Sequence, residues 1–211
     1  MFEKYVVRLY MEITIFEKNM RIHEINTKLK DKKVGIAGCG GLGSNVAQML
    51  VRSGIRKLVL ADFDHVQESN LNRQFFFKDQ IGQEKVMALR DNLLKIQPKL
   101  ELECHVSRLN PGLIQRFYTD CDVLVEAFDV AESKAMLFET MSENLPDIPV
   151  IGVSGLAGMD NAEKMQIVRD GNLILIGDFA NDVSDDLPPL APKVTIAAAL
   201  QANEVLRFLS K

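Results

Sequence analysis

The sequence lacks several features that would assign it to a class at once. Its three cysteines form no CxxC pair, so a zinc site built from four cysteines is excluded. No run of 18 apolar residues occurs, which argues against a membrane span. Positive charge is not in excess either: 25 Lys and Arg stand against 29 Asp and Glu, for a net charge of −4. This balance gives no global basic field that would attract nucleic acid.

The N-terminus and the cysteines both favour a cytoplasmic protein. The apolar stretch 5–16 is interrupted by Arg8 and Glu12, and no small-residue cleavage site follows, so it does not resemble a secretory signal. An odd number of cysteines in a chain without a signal fits a reducing compartment. Cys104 and Cys121 lie in apolar stretches, and we interpret them as buried thiols.

What is present is an ordinary globular mixture, with 47% hydrophobic and 26% charged residues. A length of 211 residues favours one domain with a sizeable core. We therefore expect a single domain over 1–211 in three parts. They are an N-terminal arm with a helix (1–30), a core (31–154), and a last part with a hairpin, an acidic loop and a helix (155–211).

Short apolar runs alternate with helical patterns through the core. The predicted strands are 34–37, 57–61, 100–106, 122–127 and 149–153, and the predicted helices are 44–53, 84–96, 111–118 and 132–143. Such alternation implies right-handed crossovers and a mostly parallel sheet, with the ligand crevice at the carboxyl ends of the strands.

The pattern changes after residue 154. Asp170 and Gly171 separate two strand-like runs, which predicts a β-hairpin. An acidic, proline-containing loop (178–192) and an alanine-rich helix (194–209) follow. The sequence thus predicts an α/β fold: a Rossmann-like, doubly wound, mostly parallel sheet with a C-terminal β-hairpin and helix.

A glycine-rich turn follows the first predicted strand. Gly38, Gly40 and Gly43 fit the pattern GxGxxG between a strand and a helix, which lets phosphate approach the backbone and the helix N-terminus. An acidic residue is expected about 20 residues later to accept the ribose hydroxyls, and Asp62 lies there. The pattern predicts nucleotide binding, against the alternative of a purely structural turn.

Polar and basic residues after the second strand indicate which nucleotide is bound. Asn70, Arg73 and Gln74 stand close together, and Lys85 begins the next helix. Arg73 can grip phosphate oxygens as a planar fork, Lys85 can act as a point charge, and Asn70 can donate from its amide. A dehydrogenase needs no such cluster, whereas a triphosphate does. The alternative for both cations is a solvated surface position.

Asp129 closes the fourth predicted strand. Its carboxylate could hold Mg²⁺, which takes few protein ligands and keeps several waters. The alternative is a cap for the following helix.

Four motifs together resemble the adenylation core of the E1/MoeB/ThiF/HesA superfamily. They are Gly38–Ser44, Leu60–Asp64, Ser69–Gln74 and Ile81–Lys85, and the segment Leu190–Asn203 extends the likeness. The compact chain is most similar to the short ThiF-like proteins of thiamine biosynthesis.

This resemblance implies an ATP- and Mg²⁺-dependent adenylyltransferase. It would activate the C-terminal glycine of a ThiS-like ubiquitin-like sulfur carrier protein, release pyrophosphate, and serve thiazole formation in thiamine biosynthesis. A homodimer is expected, the net negative charge argues against a nucleic acid partner, and no membrane partner is expected. The implied ATP-binding residues are Gly38, Gly40, Gly41, Gly43, Asp62, Asp64, Asn70, Arg73, Gln74 and Lys85. The implied catalytic residues are Asn70, Arg73, Lys85, Asp129 and Arg21, with Asp129 as the metal ligand. Arg21, or else Arg8, would come from the partner's N-terminal helix.

The sequence departs from the family pattern in two respects. The two CxxC pairs with which many members bind zinc are missing, so no zinc is predicted. No cysteine lies between Ser154 and Pro192, so the reaction should stop at the acyl-adenylate or pass it to another protein's sulfur. Three alternatives stay open: adenylation of a different small protein, peptide or tRNA; an NAD(P)-dependent oxidoreductase; and a nucleotide-binding regulator without turnover.

Overall fold

A mixed seven-stranded sheet flanked by helices organises the computed structural model, which describes residues 22–159, 162–179 and 188–210. Residues 1–21 of the N-terminal arm, with Arg8 and Arg21, lie outside the described residues, and so does most of the predicted acidic loop. Along the described chain, no helix is long and apolar enough to cross a membrane.

Strands and helices alternate through the core as predicted. The strands are β1 (Lys33–Ala37), β2 (Lys57–Asp62), β3 (Glu101–Val106), β4 (Val123–Glu126), β5 (Val150–Ser154), β6 (Gln166–Asp170) and β7 (Leu173–Gly177). The helices are α1 (Ile22–Leu29), α2 (Gly41–Arg52), α3 (Lys85–Ile96), α4 (Pro111–Tyr118), α5 (Ala131–Asn144) and α6 (Ala191–Leu209). Short 3₁₀ turns cover Glu68–Asn70, Lys78–Gln80 and Ala162–Lys164.

The strand order is β3-β2-β1-β4-β5-β7-β6. All neighbouring pairs are parallel except β6 with β7, which form the predicted antiparallel hairpin. The chain order reverses between β1 and β4, and such a switch point leaves a crevice at the carboxyl ends of the two strands. The α/β, doubly wound fold predicted from the sequence is confirmed.

Helices cover both faces of the sheet because its strands are apolar on both sides. On one face α1, α2, α3 and α6 close the larger core, in which Leu29, Val46, Leu89 and Val205 are completely buried. On the other face α4 and α5 close a second core around Tyr118, whose hydroxyl donates to the backbone of β1.

The prediction of two buried thiols is confirmed for Cys121 and is wrong in degree for Cys104. Cys121 is 5% exposed, whereas Cys104 is only partly buried. The difference arises because Cys104 belongs to β3, which among the described residues is an edge strand with a neighbour on one side only.

Candidate functional site

The glycine turn lies at the switch point, between β1 and the first turn of α2. Gly38 has a φ of 97°, a conformation that L side chains rarely adopt, and a Cβ there would lie 2.7 Å from the carbonyl oxygen of Ala127. A Cβ on Gly43 would lie 1.9 Å from the carbonyl oxygen of Gly38. In the described part of the chain no side chain caps the start of α2, so its first N–H groups remain available to an anion.

Asp62 fastens the end of β2 to this turn. One carboxylate oxygen accepts from the backbone N–H of Cys39 at 2.6 Å, and the other accepts from that of Asp64 at 2.8 Å. The carboxylate is only partly buried, so further lone pairs can accept from ribose hydroxyls. The structure thus places Asp62 beside the glycine turn, and its ribose role stays a prediction.

Two side chains of α2 fasten the segment after β2 onto the turn. Ser44 Oγ donates to the carbonyl of Gly40 at 2.6 Å and accepts from the backbone N–H of Phe75 at 3.0 Å. Asn45 Nδ2 donates to the carbonyls of Gly41 at 2.7 Å and Arg73 at 2.8 Å. Sequence reasoning did not single out this pair. The available signal was two consecutive polar residues in a helix turn that has to be buried.

This fastening brings Arg73 and Gln74 against the glycines. A Cβ on Gly41 would lie 3.7 Å from Arg73 Cγ, and one on Gly40 would lie 3.8 Å from Gln74 Nε2. Gln74 is 9% exposed, and its Oε1 has no hydrogen-bond partner in the described part of the chain. A buried amide oxygen that receives no hydrogen bond is costly, so this oxygen suits a ligand that supplies an N–H or O–H donor.

Asn70 begins the same segment and is 8% exposed. Its Oδ1 accepts from the backbone N–H of Gln67 at 3.0 Å, which fixes the orientation of the amide. Nδ2 is therefore the end that can donate to a ligand, as the sequence predicts.

Lys85, at the start of α3, is a buried cation rather than a solvated one. Its side chain is 8% exposed, and Nζ lies 2.9 Å from Asp64 Oδ2. The backbone N–H of Lys85 also donates to the carbonyl of Asp64 at 2.8 Å. The surface alternative is therefore wrong for Lys85. Asp64 pairs with this lysine, and its predicted role in nucleotide binding stays a prediction.

Asp129 follows β4 on the other side of the switch point and is exposed. The helix-cap alternative is wrong, because Val130 is the N-cap of α5 and the Asp129 side chain makes no capping hydrogen bond to that helix. No group of three or more metal-binding side chains occurs among the described residues. Mg²⁺ is commonly held by one or two carboxylates together with nucleotide phosphates, so a single carboxylate at this edge fits the ion.

A buried ion pair supports the turn that carries Asp129. Glu126, the last residue of β4, is fully buried, and both carboxylate oxygens accept from Lys134 Nζ at 2.9 Å. One oxygen also accepts from the backbone N–H of Phe128 at 2.7 Å. Burial raises the pKa of the Glu126 carboxyl, although Lys134 acts in the opposite direction. The sequence analysis did not identify this pair, because Glu126 and Lys134 lie far along the chain from the glycine motif and no motif includes them.

Cys39 lies in the glycine turn and is fully buried. Burial raises the pKa of its thiol well above the usual range, so the thiolate is scarce near neutral pH. This agrees with the interpretation of Cys39 as a small packing residue.

Comparison with known proteins identifies the family of this chain and solved structures that share its fold. The model of the ThiF family matches residues 16–211. The ubiquitin-like modifier-activating enzyme 5 of Caenorhabditis briggsae is 46% identical over 78 residues, which are 37% of this chain and 18% of that protein. Its counterpart in Drosophila sechellia is 46% identical over 88 residues, 42% of this chain and 22% of that protein. The matched stretch thus spans less than a quarter of these curated relatives.

Solved structures share the architecture at low sequence identity. The E. coli tRNA N6-threonylcarbamoyladenosine dehydratase TcdA, in complex with ATP, superposes with a TM-score of 0.79 and 18% identity. The match covers 88% of this chain and 88% of that one. E. coli MccB in complex with AMPCPP and MccA gives a TM-score of 0.68 and 23% identity, over 88% of this chain and 58% of that one. At such identities the likeness shows the fold alone.

Proposed function

Because this chain belongs to the ThiF family, we propose that it is an ATP-dependent adenylyltransferase. The acceptor in this proposal is the C-terminal glycine carboxylate of a ThiS-like, ubiquitin-like sulfur carrier protein. The products are the acyl-adenylate and pyrophosphate, and the reaction supplies thiazole formation in thiamine biosynthesis in the cytoplasm.

The observation that carries the proposal is the convergence of phosphate-binding groups on the glycine turn. A Cβ added to Gly41 would lie within 4 Å of the Arg73 side chain, and one added to Gly40 would lie within 4 Å of the Gln74 amide. The buried ammonium of Lys85 begins the next helix. A dinucleotide needs only a turn and a ribose acceptor, whereas a triphosphate carries several charges that these groups can neutralise.

The residues fit a reaction governed by alignment and charge. The acceptor carboxylate is ionised near neutral pH, so no general base is required. It attacks the α-phosphorus of ATP, a new O–P bond forms, and the bond to the pyrophosphate oxygen breaks. Arg73 and Lys85 would neutralise charge on the phosphates, while N–H groups at the start of α2 hold an anionic oxygen. Asp62 would hold the ribose and so fix the α-phosphorus relative to the acceptor.

Asp129 is the residue that would hold Mg²⁺ together with the nucleotide phosphates. The ion, when bound, would draw negative charge from the phosphate oxygens. The exposed position of Asp129 across the switch point from Asp62 supports this assignment.

The proposal includes a homodimer. Members of the resembled family take an arginine from the partner's N-terminal helix, and the candidates here are Arg21 and Arg8. Both lie outside the described residues, so the assignment depends on the family resemblance.

Exchange of ³²P between pyrophosphate and ATP tests the function. The assay is run with a purified ThiS-like protein ending in Gly-Gly, with the same protein lacking those two residues, and with bulk tRNA. We expect exchange only with the intact carrier and Mg²⁺. Exchange with tRNA alone would show that tRNA, and not the carrier protein, is the acceptor. ATP binding without exchange under any condition would favour the non-catalytic alternative.

Variants of the chain assign the exchange to this site. Arg73→Ala should abolish exchange, whereas Arg52→Ala, at the far end of α2, should leave it unchanged. Equal exchange activity of the two variants would show that Arg73 has no role in the reaction.

A further inference from the structure

A second buried ion pair joins three segments at the carboxyl edge of the sheet. Lys193 Nζ lies 2.7 Å from Asp178 Oδ2 and donates to the carbonyl of Ala157 at 2.7 Å. The side chains of Lys193 and Asp178 are 1% and 0% exposed. A lysine is almost never buried to this degree unless it is paired, so the contact has a definite geometry.

One of the three segments contacts the glycine turn. Asp178 follows β7, Ala157 follows the neighbouring β5, and Lys193 lies in the first turn of α6. The next residue, Val194, packs against the turn, since a Cβ on Gly41 would lie 3.2 Å from Val194 Cγ1. The ammonium of Lys193 therefore connects the ends of β5 and β7 to the phosphate-binding turn through one helical turn.

The backbone beside the pair is strained, and its surface is apolar. Phe179, directly after Asp178, has a φ of 54°, in the left-handed region that non-glycine residues avoid. Its side chain is 44% exposed, and that of Met159, two residues after Ala157, is 74% exposed. Strain is retained where the surrounding contacts over-determine the backbone, and here the buried pair supplies those contacts.

Stability alone does not account for this pair. Apolar residues of similar volume often replace a buried ion pair at no loss of stability, because both charges must be removed from water. What an apolar pair cannot do is hold the carbonyl of Ala157 and the carboxylate of Asp178 at fixed hydrogen-bond distances.

We propose that Lys193 and Asp178 are positioning residues for the acceptor. They set the segments after β5 and β7, with Met159 and Phe179 on their surface, at the distance from the glycine turn where an acceptor carboxylate meets the α-phosphate of ATP. Neither residue touches the substrates, because both side chains are enclosed. This inference rests on the proposed adenylation.

The test compares the double variant Lys193→Met/Asp178→Leu with a matched control. Single variants would leave one buried charge without its partner and could fail to fold, whereas the double variant replaces both. The control, Arg169→Met/Glu204→Leu, removes an ion pair that joins β6 to the other end of α6, where Glu204 is 3% exposed. Both proteins are measured by pyrophosphate exchange with the ThiS-like carrier and by calorimetry with ATP alone.

We expect the double variant to raise the KM for the carrier tenfold or more and to lower kcat, because the reacting carboxylate is misplaced, with the Kd for ATP within twofold of that of the unmodified chain. The control should leave all three unchanged. The positioning role is overturned if the KM for the carrier stays within twofold of that of the unmodified chain. It is also overturned if the Kd for ATP rises by the same factor as the KM. No exchange by the unmodified chain itself overturns the proposed function, and the positioning role with it.

Discussion

Replacing Lys85 by methionine isolates the contribution of its ammonium to nucleotide binding. Methionine keeps most of the apolar stem, so the packing of α3 is preserved. The partner carboxylate of Asp64 is 46% exposed and stays hydrated, so the free energy of unfolding should fall by no more than about 1 kcal/mol. The effect on binding is larger, since a hydrogen bond to a charged group contributes about 1.5–3 kcal/mol.

That free energy corresponds to a loss of about 10- to 150-fold in affinity for ATP, at about 1.4 kcal/mol for each factor of ten. Calorimetry with ATP measures it directly, and adenosine serves as the control ligand because it has no phosphate. Lys95→Met is the matched variant, since Lys95 is exposed in the last turn of the same helix. An affinity of Lys85→Met for ATP within twofold of that of Lys95→Met would refute the phosphate-binding role.

Three further perturbations test the turn and the thiols. Gly43→Ala should lower the free energy of unfolding in urea by about 3 kcal/mol or more, because the new methyl group would lie 1.9 Å from a backbone oxygen; an unchanged midpoint would contradict the geometry. Asn45→Ala should cost about 1–3 kcal/mol in the same measurement, since two carbonyl acceptors lose their donor, and a value near zero would mean that water replaces the amide. Iodoacetamide at pH 8.5 should modify Cys104 before Cys39 and Cys121, as mass spectrometry would show. Burial raises the pKa of Cys121 to about 12 and that of Cys39 well above its usual range, so their thiolates form only at higher pH; equal labelling of all three would contradict this order.

The sheet and its helices could be predicted from the sequence because their patterns are local. The apolar run before Gly38 and the Asp170-Gly171 turn mark β1 and the hairpin by residues that are adjacent in the chain. Element bounds agree within a few residues, since caps and breakers such as Pro111 and Pro98 are local as well.

The contacts of the site could be predicted only where a motif names them. The glycines, Asp62, Arg73 and Gln74 come together as the motifs indicate. The pairing of Lys85 with Asp64 depends on how the intervening segment folds back, and no local pattern encodes it.

The buried pair of Lys193 and Asp178 is harder still to predict. Lysine is among the residues most often exposed, so its identity argues against the position that it occupies. The half-burial of Cys104 depends on which strand forms the edge, and that is a property of the whole sheet.

Helix α6 is held at both of its ends by charged contacts. Lys193 fixes the first turn to the carboxyl edge of the sheet, and Glu204 receives two hydrogen bonds from Arg169 of β6 near the opposite edge. With 19 residues the helix is about 28 Å long. One continuous helix therefore connects the hairpin to the phosphate-binding turn, with an ion pair near each of its ends.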